Sequence, residues 1–328
     1  MKYVIGIDLG TSAVKTILVN QNGKVCAETS KSYPLIQEKA GYSEQNPEDW
    51  VQQTIEALAE LISISNVQAG DIDGISYSGQ MHGLVLLDQD RRVLRHAILW
   101  NDTRTTPQCS RITETFGDHL LDITKNRVLE GFTLPKMLWV KEHEPELFNK
   151  TAVFLLPKDY VRFRMTGAIH TEYSDAAGTL LLHMTRKEWS DEICNQFGIS
   201  AEICPPLVES HDCVGSLLPS VAAETGLLEK TKVYAGEQIM LAVLSEPVFF
   251  LPEKRYAALG RQESYFPVKK TKKEILKGKC TFLIMEKRIH FIRWGSRSLQ
   301  GTAWTGLKKR LRQTNRLNNY CGEWNLFR

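Results

Sequence analysis

The stretch Tyr3-Val4-Ile5-Gly6-Ile7-Asp8-Leu9-Gly10-Thr11-Ser12-Ala13-Val14-Lys15-Thr16-Ile17-Leu18-Val19 sets how the rest of the chain is read. Two apolar, β-branched runs, residues 3–9 and 14–19, flank Gly10-Thr11-Ser12-Ala13, and the second run ends at the turn signal Asn20-Gln21-Asn22-Gly23. Branched side chains suit a pleated strand and Gly/Asn clusters turn the chain, so the pattern predicts a β-hairpin. Asp8 stands near the end of the first strand, just before a turn rich in glycine and hydroxyls. Such a turn aims backbone N–H groups and hydroxyls at phosphate oxygens, and a neighbouring carboxylate holds Mg²⁺ through water. The stretch therefore reads as a nucleotide-phosphate site, against the plainer alternative of a hairpin whose Asp8 caps the turn. It is neither a Walker A loop nor a dinucleotide fingerprint, because Gly-x-x-x-x-Gly-Lys and Gly-x-Gly-x-x-Gly are both missing here.

Outward from the hairpin, residues 26–32 predict a third strand, and Pro47-Glu48-Asp49-Trp50 opens a helical pattern with Ile55, Leu58 and Ile62 on one side. Residues 72–78 and 83–88 predict strands flanking a turn at Gln80-Met81-His82, with a short strand at 97–100. Helical periodicity returns around 107–116, 135–143 and 158–166. Strands mixed with helices in this order predict an α/β domain with a central sheet.

The chain has 328 residues, enough for about two domains, and its 42% hydrophobic and 24% charged content is that of a folded globular protein. No window approaches the roughly 20 apolar residues of a membrane span. No signal-peptide layout precedes the first strand, and the expectation is a cytoplasmic protein. Seven scattered cysteines without a Cys-x-x-Cys pair are expected to be free thiols. The net charge of +3 averages two unlike regions. Residues 1–236 hold 22 Lys and Arg against 31 Asp and Glu, a net of −9; residues 237–328 hold the remaining 19 against 7, a net of +12, with no aspartate.

Three further stretches carry a resemblance. Gly131-Phe132-Thr133-Leu134-Pro135-Lys136-Met137-Leu138-Trp139-Val140-Lys141-Glu142-His143 fits the first signature of the FGGY carbohydrate kinases at every constrained position, and the chain is identified as a member of that family. Ser78-Gly79-Gln80-Met81-His82-Gly83 and Leu99-Trp100-Asn101-Asp102-Thr103-Arg104 resemble its xylulose-phosphorylating branch. The resemblance implies an actin-like (ribonuclease H-like) ATPase fold. It places Asp8, Gly10, Thr11, Ser12 and Lys15 on the phosphates of ATP, with Asp8 also serving Mg²⁺. Around the sugar it places Gln80, Met81, His82, Trp100, Asn101, Asp102 and Arg104, which supply the donors, acceptors and apolar floor that polyol recognition needs. Ser174-Asp175-Ala176-Ala177-Gly178-Thr179-Leu180 is similar to a family segment with a structural role. The implied reaction transfers the γ-phosphoryl of ATP to D-xylulose, with an aspartate as base; a homodimer is the candidate assembly. The competing readings are a kinase for another ketose or polyol, and a non-catalytic sugar-binding module with a basic, nucleic-acid-binding tail.

The resemblance is expected to cover residues 1–236, an N-terminal sugar kinase domain, and to stop there. The family continues Gly-Ala-Asp-Asn-Ala-Cys-Gly with the base aspartate, where this chain reads Glu237-Gln238-Ile239-Met240-Leu241-Ala242-Val243. Ile239 therefore stands in the aspartate's place and cannot accept a proton. One legal encoding of residues 237–243, shifted by a base, spells the family's run, and residues 246–262 shift equally well into Gly-Thr-Gly-Ile-Leu-Ser-Ser-Gly-Lys-Thr-Leu-Cys-Ser-Ile-Gly-Thr-Ser. A one-base loss near the codon of Gly236 is inferred, leaving 237–328 as an out-of-frame, poorly ordered tail and the chain with little or no expected turnover.

Overall fold

The computed structural model describes residues 1–238 together with the backbone of two later strands, Cys280–Met285 and Arg288–Arg293, which pair with each other. Most of the expected tail, including Ile239, lies outside the described residues. Residues 1–238 belong to the unit Met1–Ile292.

The predicted hairpin forms from β1 (Tyr3–Leu9) and β2 (Ala13–Asn20), and β3 (Val25–Ser32) extends it. After a two-residue strand, β4 (Glu44–Gln45), helix α1 (Pro47–Ser65) leads to β5 (Ile72–Gly79). Short strands β6 (Val85–Leu87) and β7 (Ala97–Ile98) precede helices α2 (Thr106–Phe116), α3 (His119–Thr124), α4 (Thr133–His143) and α5 (Pro145–Phe148). Then come β8 (Val153–Leu155), α6 (Pro157–Thr166), β9 (Thr171–Glu172) and α7 (Tyr173–Ala177). The described domain closes with β10 (Leu182–His183), β11 (Glu188–Trp189), α8 (Asp191–Gln196), β12 (Leu207–Val208), β13 (Cys213–Ser216), α9 (Pro219–Thr225) and β14 (Lys232–Tyr234).

Six strands make the central sheet in the order β13-β14-β5-β1-β2-β3. β1 lies parallel to β5, and β5 parallel to β14; β2 and β3 are added antiparallel. β1 is buried along nearly all its length, as its unbroken apolar run requires of a central strand, whereas β3 is a largely exposed, polar edge. Helix α1 starts where the sequence says it must. Asn46 accepts from Glu48 N, Pro47 holds the first position, and Glu48 and Asp49 face the positive end of the helix dipole. Its buried stripe of Trp50, Val51, Thr54, Ala57, Leu58 and Leu61 packs with residues of α6 and α9 on the sheet's Ile5, Ile7, Leu9, Leu18 and Ile75. A second core, built from β6, β8, α2, α3, α4 and α8, gathers Leu86, Ile112, Leu138, Phe154, Leu180 and Ile193. Among the described residues no helix is long and apolar enough to cross a membrane.

Candidate active site

Parallel β1 and β5 end side by side, with Asp8 opposite Ser78 and Leu9 opposite Gly79, while the hairpin sets Asp8 opposite Lys15. Ligand sites of α/β sheets gather at such carboxyl ends, where strands stop and loops diverge. The turn is tight, with Gly10 N donating to Ala13 O at 3.1 Å, and the Tyr33 hydroxyl donates to Gly10 O. Ser12 and Lys15 are exposed and Thr11 half-buried.

Asp8 is buried, and its Oδ1 has no hydrogen-bond partner. Burial pushes its carboxyl up to about 6, against the pull of Lys15. A cation or a bound ligand would supply what the protein withholds, so the residues present fit a divalent metal at Asp8. Ser78 Oγ and Gln80 Oε1 are likewise buried without partners.

Gln45, which sequence reasoning passed over, joins the phosphate turn to the expected sugar residues. Its amide donates to Thr11 O at 2.7 Å, and its Oε1 accepts from Trp50 Nε1 at 3.0 Å and from Gln80 Nε2 at 3.2 Å. Trp100, 39% exposed, donates from Nε1 to Thr11 Oγ1 at 2.9 Å. Gln80 N also donates to Leu9 O. Thr11, Gln80 and Trp100 thus share one network.

His82 is buried with φ of +64°, a left-handed backbone rare for a side chain of that size. Its carbonyl accepts from Lys136 Nζ at 2.8 Å and Thr133 Oγ1 at 3.2 Å, both on the signature helix α4. Burial, then the charge of Lys136, drives the imidazole down to about 3, and burial brings Lys136 down to about 7. Met81 is half-buried in the same turn.

The other expected sugar residues are placed differently. Asp102 accepts from Ser43 N at 2.6 Å and from Arg104 Nε and NH2, while Arg104 also meets Glu44 at 2.7 Å and stacks over Tyr42 at 3.7 Å. Their charges are neutralised within the protein, so they brace the loop beneath Trp100 instead of offering free hydrogen-bonding groups. Asn101 is exposed and lines a surface hollow of about 330 Å³ with residues 37–43.

A buried ionic platform forms around Lys158. Lys158 Nζ stands 3.0 Å from Asp159, 3.2 Å from Glu172 and 2.7 Å from Asp175, all four side chains fully buried. Arg162 pairs with Asp159 at 2.8 Å and donates to Ala235 O at 2.6 Å. Glu172 caps α7 by accepting from Ser174 N and Asp175 N, and it also accepts from Ser210 Oγ. Segment 235–238 is seated on this platform. Glu237 N donates to Tyr77 O and Gln238 N to Ser174 Oγ, both at 2.9 Å. Gly236 (φ +82°) lies so close to Tyr77 O that a Cβ would come within 2.2 Å. Burial raises Asp175 to about 7 and Glu237 to about 8. Ser174 and Asp175 therefore have the structural role expected of them, whereas Lys158 and Glu172 carried no sequence signal beyond lying in a helix and before one.

The profile of the FGGY family of carbohydrate kinases, N-terminal domain, matches residues 3–243. The chain belongs to this family. A xylulose kinase of Bacillus subtilis (strain 168) is 78% identical over 295 residues, covering 90% of this chain and 59% of that protein. That alignment reaches past Gly236, beyond the end that sequence analysis set for the resemblance. Among solved structures, a xylulose kinase of Brucella ovis superposes with a TM-score of 0.70 at 34% identity, over 75% of this chain and 51% of that one. A gluconate kinase of Lactobacillus acidophilus gives 0.71 at 29%, over 74% and 49%. The fold is the actin-like ATPase fold of sugar kinases, and the chain spans between half and three-fifths of the length of these relatives.

Proposed function

We propose that this chain carries the ketose-binding half of an ATP-dependent kinase for D-xylulose. The observation that carries the reading is the shared network of Thr11, Gln45, Gln80 and Trp100, which joins the turn expected at the phosphates to the two stretches expected at the sugar. The 78% identical relative is a xylulose kinase, which favours that sugar over other ketoses and polyols.

Gly10, Thr11, Ser12 and Lys15 would meet the phosphates through backbone N–H groups, hydroxyls and one ammonium, with the β1–β2 hairpin holding them in place. Mg²⁺, bound at the unpartnered carboxylate of Asp8, would neutralise charge on the transferring phosphoryl group. Gln80 and His82 would orient the sugar by hydrogen bonds, and Trp100 would floor it; Asp102 and Arg104 hold Trp100's loop. The proton of the attacking hydroxyl needs a base. At the family's aspartate position this chain has Ile239, so it is expected to bind ketose without transferring phosphate.

The test is calorimetry of the 328-residue chain with D-xylulose, gluconate and glycerol, beside a coupled assay for ADP. Preferential D-xylulose binding without turnover supports the reading; absent binding, or turnover at ordinary kinase rates, overturns it. The reading-frame proposal rests on the codon argument. Resequencing the source DNA across codons 235–241 decides it, since an extra G there would restore the aspartate.

A further inference from the structure

His82 is held from two sides by residues with no assigned part in the reaction. On one side the signature helix grips its carbonyl. Lys136 Nζ donates to His82 O at 2.8 Å and to Gly131 O at 2.7 Å, and Thr133 Oγ1 adds a bond at 3.2 Å. These bonds offset the strain of the left-handed backbone at His82, whose φ is +64°. On the other side the imidazole lies against Gly178. A Cβ there would come within 2.3 Å of Cε1 and 2.4 Å of Nδ1, so any side chain at 178 must displace the ring.

Gly178 itself cannot retreat. Ala177 O accepts from Asn126 Nδ2 at 3.0 Å, Gly178 N donates to Asp175 O at 2.9 Å, and Thr179 O accepts from Leu134 N at 2.9 Å. Phe132 closes a third side, its ring centroid 4.7 Å from that of His82. Nδ1 of the ring is buried on the side of Gly178, whose backbone favours a proton on the ring. The charged side chain set against this turn is Lys136, whose ammonium is directed to the backbone.

We propose that Lys136 and Gly178 are positioning residues for His82: the ammonium fixes its backbone while the missing side chain of Gly178 leaves the space its ring occupies, so that one fixed imidazole orientation meets a ketose hydroxyl. The step rests on the proposed ketose site. A neutral imidazole is both donor and acceptor, which suits a hydroxyl better than a cation would. Burial keeps it neutral, and the Lys136 charge adds to this below about pH 7, where that amine is protonated.

The experiment uses the full chain and three variants, Gly178→Ala, Lys136→Met and Thr133→Val, with His82→Asn to assign the signal. Histidine nitrogen NMR between about pH 5 and 8 reads the ring; calorimetry reads D-xylulose affinity. In the wild-type chain His82 is expected as one neutral tautomer throughout. In Gly178→Ala and Lys136→Met the ring should begin to titrate or exchange tautomers, with affinity falling about tenfold, the worth of one good hydrogen bond. Thr133→Val removes the weakest grip and supplies the folded comparison, with a smaller change in the same direction. An unaltered ring signal in the folded variants, or a wild-type His82 titrating near its ordinary value, overturns the positioning role. If the ring responds as expected but wild type binds no D-xylulose, the positioning role stands and the ketose reading falls.

Discussion

The sheet edge at Asp8 and the platform at Lys158 both bury carboxylates, and they treat them in opposite ways. Around Lys158, three acidic side chains share one ammonium, a guanidinium and a set of backbone and hydroxyl donors. At Asp8 one carboxylate oxygen is buried with nothing attached, and its pKa rises to about 6. A buried charge costs heavily unless paired. Lys158 stands 2.7 Å from Asp175, although burial still raises that carboxyl to about 7, whereas no ion pair or hydrogen bond reaches Oδ1 of Asp8. The two regions also face different neighbours. The platform seats the segment that leaves the domain at 235–238, while Asp8 opens on the phosphate turn.

Removing the shared cation should have the largest effect. Lys158→Met would leave Asp159, Glu172 and Asp175 buried around an apolar chain, and a loss of about 3–5 kcal/mol is expected in urea unfolding. A loss under about 1 kcal/mol would mean that the platform is not the ionic unit described.

Asp8→Asn should act in the opposite sense. With a native pKa of about 6 against 3.8 in the unfolded chain, Asp8 binds more protons folded than unfolded, so its contribution to stability falls as pH rises from about 4 to 6. The variant is expected to gain about 1–2 kcal/mol at about pH 7 and to lose that advantage at about pH 4, while binding of Mg²⁺-nucleotide disappears. Unfolding curves at the two pH values check the sign; a loss at neutral pH would erase the contrast between the regions.

Ser210→Ala takes one donor from Glu172, whose other partners remain, and should cost about 1 kcal/mol. Last, Lys15→Met removes the cation that draws Asp8 down, and carboxyl NMR should show the Asp8 pKa moving further up. No movement would show that Lys15 does not act on Asp8.

Much of the fold was legible because its signals are local. The β1–β2 hairpin and α1, with its Asn46 cap and buried stripe, arise from side-chain period and capping, which depend on residues a few positions apart. The strand expected at 83–88 shortened to Val85–Leu87, because Gly83 N turns back to Met81 O and Asp88 is bonded into a turn with Arg91 and Arg92. The site was half legible. Thr11, Gln80 and Trp100 are joined through one hydrogen-bond network, but its link, Gln45, gives no sequence signal, since a glutamine before a helix N-cap resembles any other. Arg104 and Asp102 have the chemistry of ligand-binding groups, and only the fold shows them neutralising each other and Glu44.

By itself the sequence determined the family, the central hairpin with its Gly10-Thr11-Ser12-Ala13 turn and the change of composition after Gly236, because each is written in contiguous residues. Tertiary structure decided which buried charges are paired and which are left waiting. It brought Lys158 to Glu172 and Asp175, Gln45 to Thr11 and Gln80, and Gly178 to His82, each across many residues of chain. The physical reason is range. Propensity and periodicity act over a turn or a strand, whereas desolvation and ion pairing depend on what the folded chain sets a few ångströms away.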